Sequence, residues 1–208
     1  MPSDSTSYTA TARTRVRRLS QRGSYDRALV HAILDEALVC HLGFVHEGQP
    51  YVLPTAFARV GEALYVHGAV ANRMLGSLAS GASICLTVTL LDGLVLARSA
   101  FHHSMNYRSV VALGPTREVT DEAEKLLAFD ALVDRCAPRR SSQARRANAA
   151  ELRATRVFAL DLVEVSAKTR RGPPLDDAAD LAHPCWAGVI PLALERGAPI
   201  PDEPQGSP

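Results

Sequence analysis

Residues 38–67 read LVCHLGFVHEGQPYVLPTAFARVGEALYVH, and the rest of the fold follows from how this stretch divides. Three short β-prone runs, 38–45, 51–60 and 63–67, are separated by the turn-like 46–49 (HEGQ) and by Gly61-Glu62, which predicts a meander of antiparallel strands. Pro54 interrupts the second run. It removes a ladder donor from an otherwise good strand and so marks an edge or a bulge.

Downstream, 71–80 has helical spacing with Met74, Leu75 and Leu78 on one side, and 84–90 (ICLTVTL) then alternates strictly. Strands are expected at 107–119 and 156–166, with a helix over 121–133 between them that carries Leu126, Leu127 and Phe129. Upstream, 25–37 reads as a short amphipathic helix behind Ser24 or Asp26 as cap. Strands and helices do not alternate regularly, so a doubly wound parallel sheet is not expected. The pattern predicts a mostly β fold, a β-barrel with peripheral helices.

At 208 residues the chain is long enough for one sizeable core. One domain over 13–192 is expected, with flexible tails at 1–12, unless a partner strand captures it, and at 193–208. Hydrophobic residues make up 47% and charged residues 22%, with a net charge of +1, which is ordinary globular usage and offers no global field to nucleic acid or an anionic membrane. Five arginines fall in 138–153, but no aromatic residue is interleaved with them, so a nucleic-acid role is not read there. This segment is either a solvated helix or a loop. The start of the chain has no apolar run of signal-peptide length, and no stretch is apolar enough to span a membrane. The four cysteines form no C-x-x-C pair, so reduced thiols and a cytoplasmic location are expected.

Three constellations could carry chemistry. The first is Leu53, Pro54, Thr55 and Ala56, where an interrupted strand exposes backbone groups to a planar heteroaromatic ring and Thr55 adds a hydroxyl. The second runs from His67 and Gly68 through Asn72 and Arg73. There a strand passes into a helix start that suits a phosphate, Gly68 permits close approach and Arg73 supplies a guanidinium fork. The third is 102–111, in which Arg108 and Ser109 face opposite ways, so that one of them points at a given ligand. His102 and His103 also diverge, and with no Asp, Glu or Cys expected nearby to complete a site no metal site is read. No G-x-S-x-G elbow, P-loop or G-x-G-x-x-G occurs.

In order along the chain stand 22–26 (RGSYD), 50–55 (PYVLPT), 65–69 (YVHGA), 106–110 (NYRSV), 166–173 (SAKTRRGP) and 186–191 (WAGVIP). Together they resemble the pyridoxamine 5'-phosphate oxidase-like FMN-binding split barrels, especially the branch with the 5-nitroimidazole-resistance proteins. The resemblance implies a six-stranded split barrel that dimerises with itself and binds FMN at the subunit interface. Leu53 to Ala56 would line the flavin ring and ribityl chain. Asn72 and Arg73 would hold the phosphate beside His67 and Gly68, with Arg108 or Ser109 in support. Lys168, Arg170 and Trp186 would come from the other subunit toward the isoalloxazine or a small-molecule substrate.

Many relatives carry a small hydroxyl where Asn72 stands, which leaves FAD open as the alternative nucleotide. The tail 194–199 (LERGAP) lacks the arginines with which vitamin B6 oxidases bind substrate, so pyridoxamine phosphate oxidation is not implied. The implied activity is that of an oxidoreductase passing electrons from flavin to a small organic acceptor such as a nitroaromatic. The alternatives are a flavin carrier or sensor without turnover, and a haem-binding barrel with His67, His102 or His103 as axial ligand. No catalytic acid, base or nucleophile is expected, because the cofactor would carry the redox chemistry.

Overall fold

A computed structural model describes residues 5–79 and 81–202, apart from the side chain of Arg73. The chain divides into two compact units, Met1–Leu90 with Tyr107–Arg171, and Leu91–Asn106 with Gly172–Pro208.

The larger unit is built on antiparallel ladders. One sheet has the order β1 (Gly23–Ser24), β10 (Glu164–Arg170), β7 (Ser104–Pro115), β6 (Ser83–Leu96), β2 (Val39–His46) and β3 (Gln49–Ala56); the other has the order β4 (Ala58–Val60), β5 (Ala63–Ala69), β9 (Thr155–Asp161) and β8 (Arg117–Glu118). The fold is mostly β, as the periodicity predicts, and its sheets do not close into a full barrel. The β2–β3 hairpin turns at Glu47 and Gly48, whose φ of 51° and 78° are the paired left-handed residues of a two-residue hairpin loop.

Three runs that read as single strands each split in two. The run at 51–60 breaks at Phe57, that at 107–119 at Thr116 and that at 156–166 after Asp161. In each case the chain leaves one sheet and enters the other. A buried side chain sits at each crossing: Phe57 at 1% exposure, Thr116 with its hydroxyl donating to the Leu78 carbonyl at 3.0 Å, and Leu162 at 4%. Burial on both sides of the crossing keeps the apolar pattern continuous through the break.

Helices cover the sheets. Helix α1 (Arg27–Glu36) is capped by Asp26, whose carboxylate accepts from Leu29 N, and buries Val30, Ile33 and Leu34. These join Leu42, Leu64, Leu75, Leu86, Val110 and Phe158 in the main core. Helix α2 (Arg73–Leu78) is shorter than the helix expected over 71–80, and Ser80 lies outside the described residues. Helix α3 (Glu122–Cys136) covers the other face of β5 and β9, packing Ala128 and Phe129 with Tyr65 and Val157. The arginine-rich segment is ordered as a turn at Arg140–Ser142 and a helix α4 (Ala149–Ala154), closed by a reciprocal capping box between Asn148 and Glu151.

Over its described part, the flexible tail expected at 1–12 is held to the body. Ser7 bridges to Asp26, and Tyr8 is 5% exposed with its hydroxyl donating to Glu62 at 2.8 Å. A single aromatic ring with a carboxylate partner supplies an anchor that hydrophobic periodicity does not register. Residues 193–202 have no regular structure and are exposed. No helix among the described residues is long and apolar enough to cross a membrane.

In the smaller unit β11 (Gly188–Pro191) pairs with residues 93–96 of β6. Asp176 receives the Arg98 backbone N–H at 2.8 Å and its guanidinium at 2.9 Å, and Asn106 donates to the Gly172 carbonyl at 3.1 Å.

Candidate functional site

The ladder registers decide which expected site residues share a face. On β3, Leu53 lies opposite Leu42 and Thr55 opposite Cys40, both core residues, whereas Pro54 lies opposite His41 and Ala56 opposite Val39 on the outward side. The four side chains therefore divide two and two. What they share is the outer backbone edge of β3, the last strand of its sheet, as Pro54 predicts. The outward side is apolar, with Val39, Val45 and Val52 at 49%, 60% and 65% exposure.

His67 and Gly68 follow one another on β5 and so face opposite sides. Gly68 looks toward α2: a Cβ there would lie 3.0 Å from Leu75 Cδ1 and 3.2 Å from Asn72 Nδ2. Glycine thus brings the Asn72 amide against the strand, while Asn72 Oδ1 caps α2 by accepting from Met74 N at 2.9 Å. Arg73 opens the same helix, but its side chain lies outside the described residues.

His67 looks toward α3, with its ring edge-on to Phe129 at 6.0 Å. Its Nδ1 is buried without a hydrogen-bond partner among the described residues, and burial holds the imidazole below its usual pKa. The ring lines a cavity of about 360 Å³ bounded by Phe129, Asp130, Arg145, Arg146 and Glu151. The arginine-rich segment therefore forms a wall of this cavity, a role that its charge count alone does not announce.

The β7–β10 register settles which of Arg108 and Ser109 joins the basic residues. Ser109 lies opposite Lys168, and its hydroxyl donates to the Lys168 carbonyl at 3.2 Å; Tyr107 lies opposite Arg170. Ser109, Lys168 and Arg170 thus share one face. Arg108 is on the other, where both of its terminal nitrogens bind the Glu36 carboxylate. Arg170 is 6% exposed, and burial, with Arg22 nearby, lowers its pKa. Lys168 Nζ donates to the Arg18 carbonyl at 3.1 Å.

The smaller unit carries Trp186, 63% exposed, whose ring stands over Gly188 where a Cβ would come within 2.7 Å. It also carries the other two candidate axial histidines, His102 and His103. Because a carbonyl only accepts, the 3.0 Å contact between His103 Nδ1 and the Ser99 carbonyl puts the proton on Nδ1 and leaves Nε2 with its lone pair. His102 is the reverse, with Nε2 committed to Asp177 at 3.2 Å. Asp177 and Asp180 reach His102 from far along the chain, so that three ligand atoms lie within 4.8 Å of one another. The proximity of these acids could not be read from spacing.

The chain is similar to the flavocytochrome Anf3 from Azotobacter vinelandii, with 43% identity, 97% of this chain and 93% of that one covered, and a TM-score of 0.89. It is also similar to the FAD and haem binding protein from Mycobacterium smegmatis, with 38% identity, coverage of 90% and 93%, and a TM-score of 0.84. A Bacteroides thetaiotaomicron protein assigned to 5-nitroimidazole antibiotic resistance shares the fold, at 22% identity over 70% of this chain and 85% of that one, with a TM-score of 0.58. No curated protein matches the chain. The family model for pyridoxamine 5'-phosphate oxidase matches residues 26–169, and on these grounds the chain belongs to the pyridoxamine 5'-phosphate oxidase family.

Proposed function

We propose that this protein is a flavocytochrome: a homodimeric electron-transfer protein that binds a flavin nucleotide and a haem. The observation that carries this reading is the likeness, over nearly the whole of both chains, to two proteins named for flavin and haem together. FAD is preferred to FMN because the Mycobacterium smegmatis relative is named for FAD.

Residues in the two units offer contacts to each group. For the flavin, the free edge of β3 at Leu53 to Ala56 offers backbone donors and acceptors to a ring. Gly68 lets the Asn72 amide and the start of α2 close against β5, with Arg73 next in the chain for the phosphate. Lys168 and Arg170 present positive charge from the face that Ser109 shares, which favours an electron-rich ring. Arg108 is assigned to α1 through Glu36 and is not given a flavin role. For the haem, His103 would be the ligand that the hydrogen bonds favour, because its contact with the Ser99 carbonyl would hold the ring with Nε2 free for the iron, as carbonyls commonly do for metal-binding histidines. Trp186, Phe101 and Met105 expose apolar surface in the same unit.

Bound flavin would accept electrons in pairs and release them to the haem or to a small organic acceptor such as a nitroaromatic. The chain's own groups would bind, orient and exclude water. The apolar outward side of β2 and β3 is the surface we assign to the homodimer, and the four free cysteines support a cytoplasmic setting.

Replacement of His103 by Ala tests the assignment in purified protein. The expected result is loss of the Soret band with flavin content unchanged. A Soret band that survives in H103A and disappears in H67A would move the ligand to His67, and a wild-type protein with neither cofactor would overturn the reading.

A further inference from the structure

We infer that the cavity between His67 and the arginine-rich segment receives the adenylate half of FAD, so that this segment selects the dinucleotide over FMN. The inference rests on the flavin reading above and extends it to residues that reading leaves idle.

Position comes first. His67 and Gly68 are neighbours near the end of β5, one facing the cavity and the other packed against Leu75 and the Asn72 amide. A mononucleotide ends at the phosphate. A dinucleotide continues through a second phosphate to an adenosine, and the cavity lies on the opposite face, reached round the end of β5, where Thr155, paired with Ala69, belongs to its lining.

Chemistry comes second. At about 360 Å³ the cavity lies in the range of small-molecule sites. Its wall combines the three kinds of group an adenylate requires. Arg145 and Arg146 supply guanidinium forks for a phosphate. Asp130 and Glu151 supply carboxylates to accept from the ribose hydroxyls. Phe129 supplies an aromatic surface for the purine. Each arginine is matched by one of the acids: Arg145 reaches Glu151 at 2.7 and 3.2 Å, and Arg146 pairs with Asp130. Charge on this wall is therefore balanced, unlike the unpaired basic surface that nucleic acid needs.

The segment is also built in place. Asn148 Oδ1 accepts from both Ala150 N and Glu151 N at 3.0 Å, Glu151 returns a bond to Asn148 N at 2.8 Å, and Ser141 N donates to Asp134 at 2.8 Å. Glu151 thus joins the capping box to the cavity wall. A solvated run of charge has no need of this arrangement.

The test is titration of the full-length chain, freed of flavin, with FAD and FMN, read by flavin fluorescence. Wild type should prefer FAD by about tenfold or more, the scale of one charge-assisted hydrogen bond. R145A/R146A should bring the ratio close to one with FMN affinity unchanged. Both side chains are mostly exposed, at 68% and 64%, so the variant keeps its fold. In wild type, AMP should compete with FAD and leave FMN binding untouched. Equal wild-type affinities, an equal loss for both flavins in the variant, or AMP without effect on FAD would overturn the inference and leave flavin binding standing. Failure of both flavins to bind would instead remove the reading beneath it, and the inference with it.

Discussion

Replacement of Gly68 by Ala tests the packing that brings β5, α2 and Asn72 together. The new methyl would stand 3.0 Å from Leu75 Cδ1 and 3.2 Å from Asn72 Nδ2, inside the ~3.5–4.0 Å at which such atoms rest. Leu75 is fully buried and has little room to yield. The Asn72 amide is exposed and can turn, but turning gives up the cap on Met74 N, worth about 1 kcal/mol. Overpacking of this kind costs about 1–3 kcal/mol, against which removing a strand glycine returns roughly 0.5–1 kcal/mol. The expected net loss is about 1 kcal/mol, which for a chain of this size lowers Tm by about 2–4 °C. Thermal unfolding followed by circular dichroism reads it. Shortening the neighbour with Leu75→Val should relieve the contact, so that in that background Gly68→Ala becomes neutral or stabilising. A Tm at or above wild type in the single variant, or the same loss in both backgrounds, would refute the argument.

Two further predictions concern pH and capping. Burial holds His67 and His31 below their usual pKa of 6.5, so the unfolded chain takes up protons first as pH falls. Their contribution is intact above about pH 6.5 and is lost as pH falls toward their folded values; Tm should decline over that interval, and less so in His67→Gln, whereas a Tm that holds steady or rises would contradict the sign. Below about pH 4.5 a second decline is expected, because Arg156 and Arg117 hold Glu118 and Glu124 below their ordinary range. Asp26→Ala removes the cap that accepts from Leu29 N at 2.7 Å and should lower stability by about 1 kcal/mol, with Asp26→Asn close to wild type in the same melt.

Local features were legible where one short-range rule decides them. The starts of α1 and α3 were readable because a capping residue stood before an apolar periodic run, and the structure gives the cap of α1 to Asp26 over Ser24 and that of α3 to Asp121. Pro54 announced an edge strand because its missing donor excludes a central one. The three strand breaks were hidden, because Phe57, Thr116 and Leu162 remain buried through the crossing and the apolar pattern does not pause there. The side on which Arg108 and Ser109 lie could not be read, because alternation fixes only that they differ; the register with Lys168 and the reach of Glu36 decide the rest. The cavity wall was hidden for a related reason. Arg145 and Arg146 read as surface charge until Asp130 and Glu151 are brought opposite them, although Asn148 with Glu151 three residues on was a readable sign of an ordered helix start.

The most direct test of the central claim is an absorbance spectrum of the purified full-length protein, with mass spectrometry of what denaturation releases. The account predicts flavin absorption together with a Soret band, FAD as the released flavin in near-equal amount to the chain, and haem beside it. Flavin without haem, even on expression with added haem precursor, would contradict the flavocytochrome reading, and a colourless protein that takes up neither group would contradict the account as a whole.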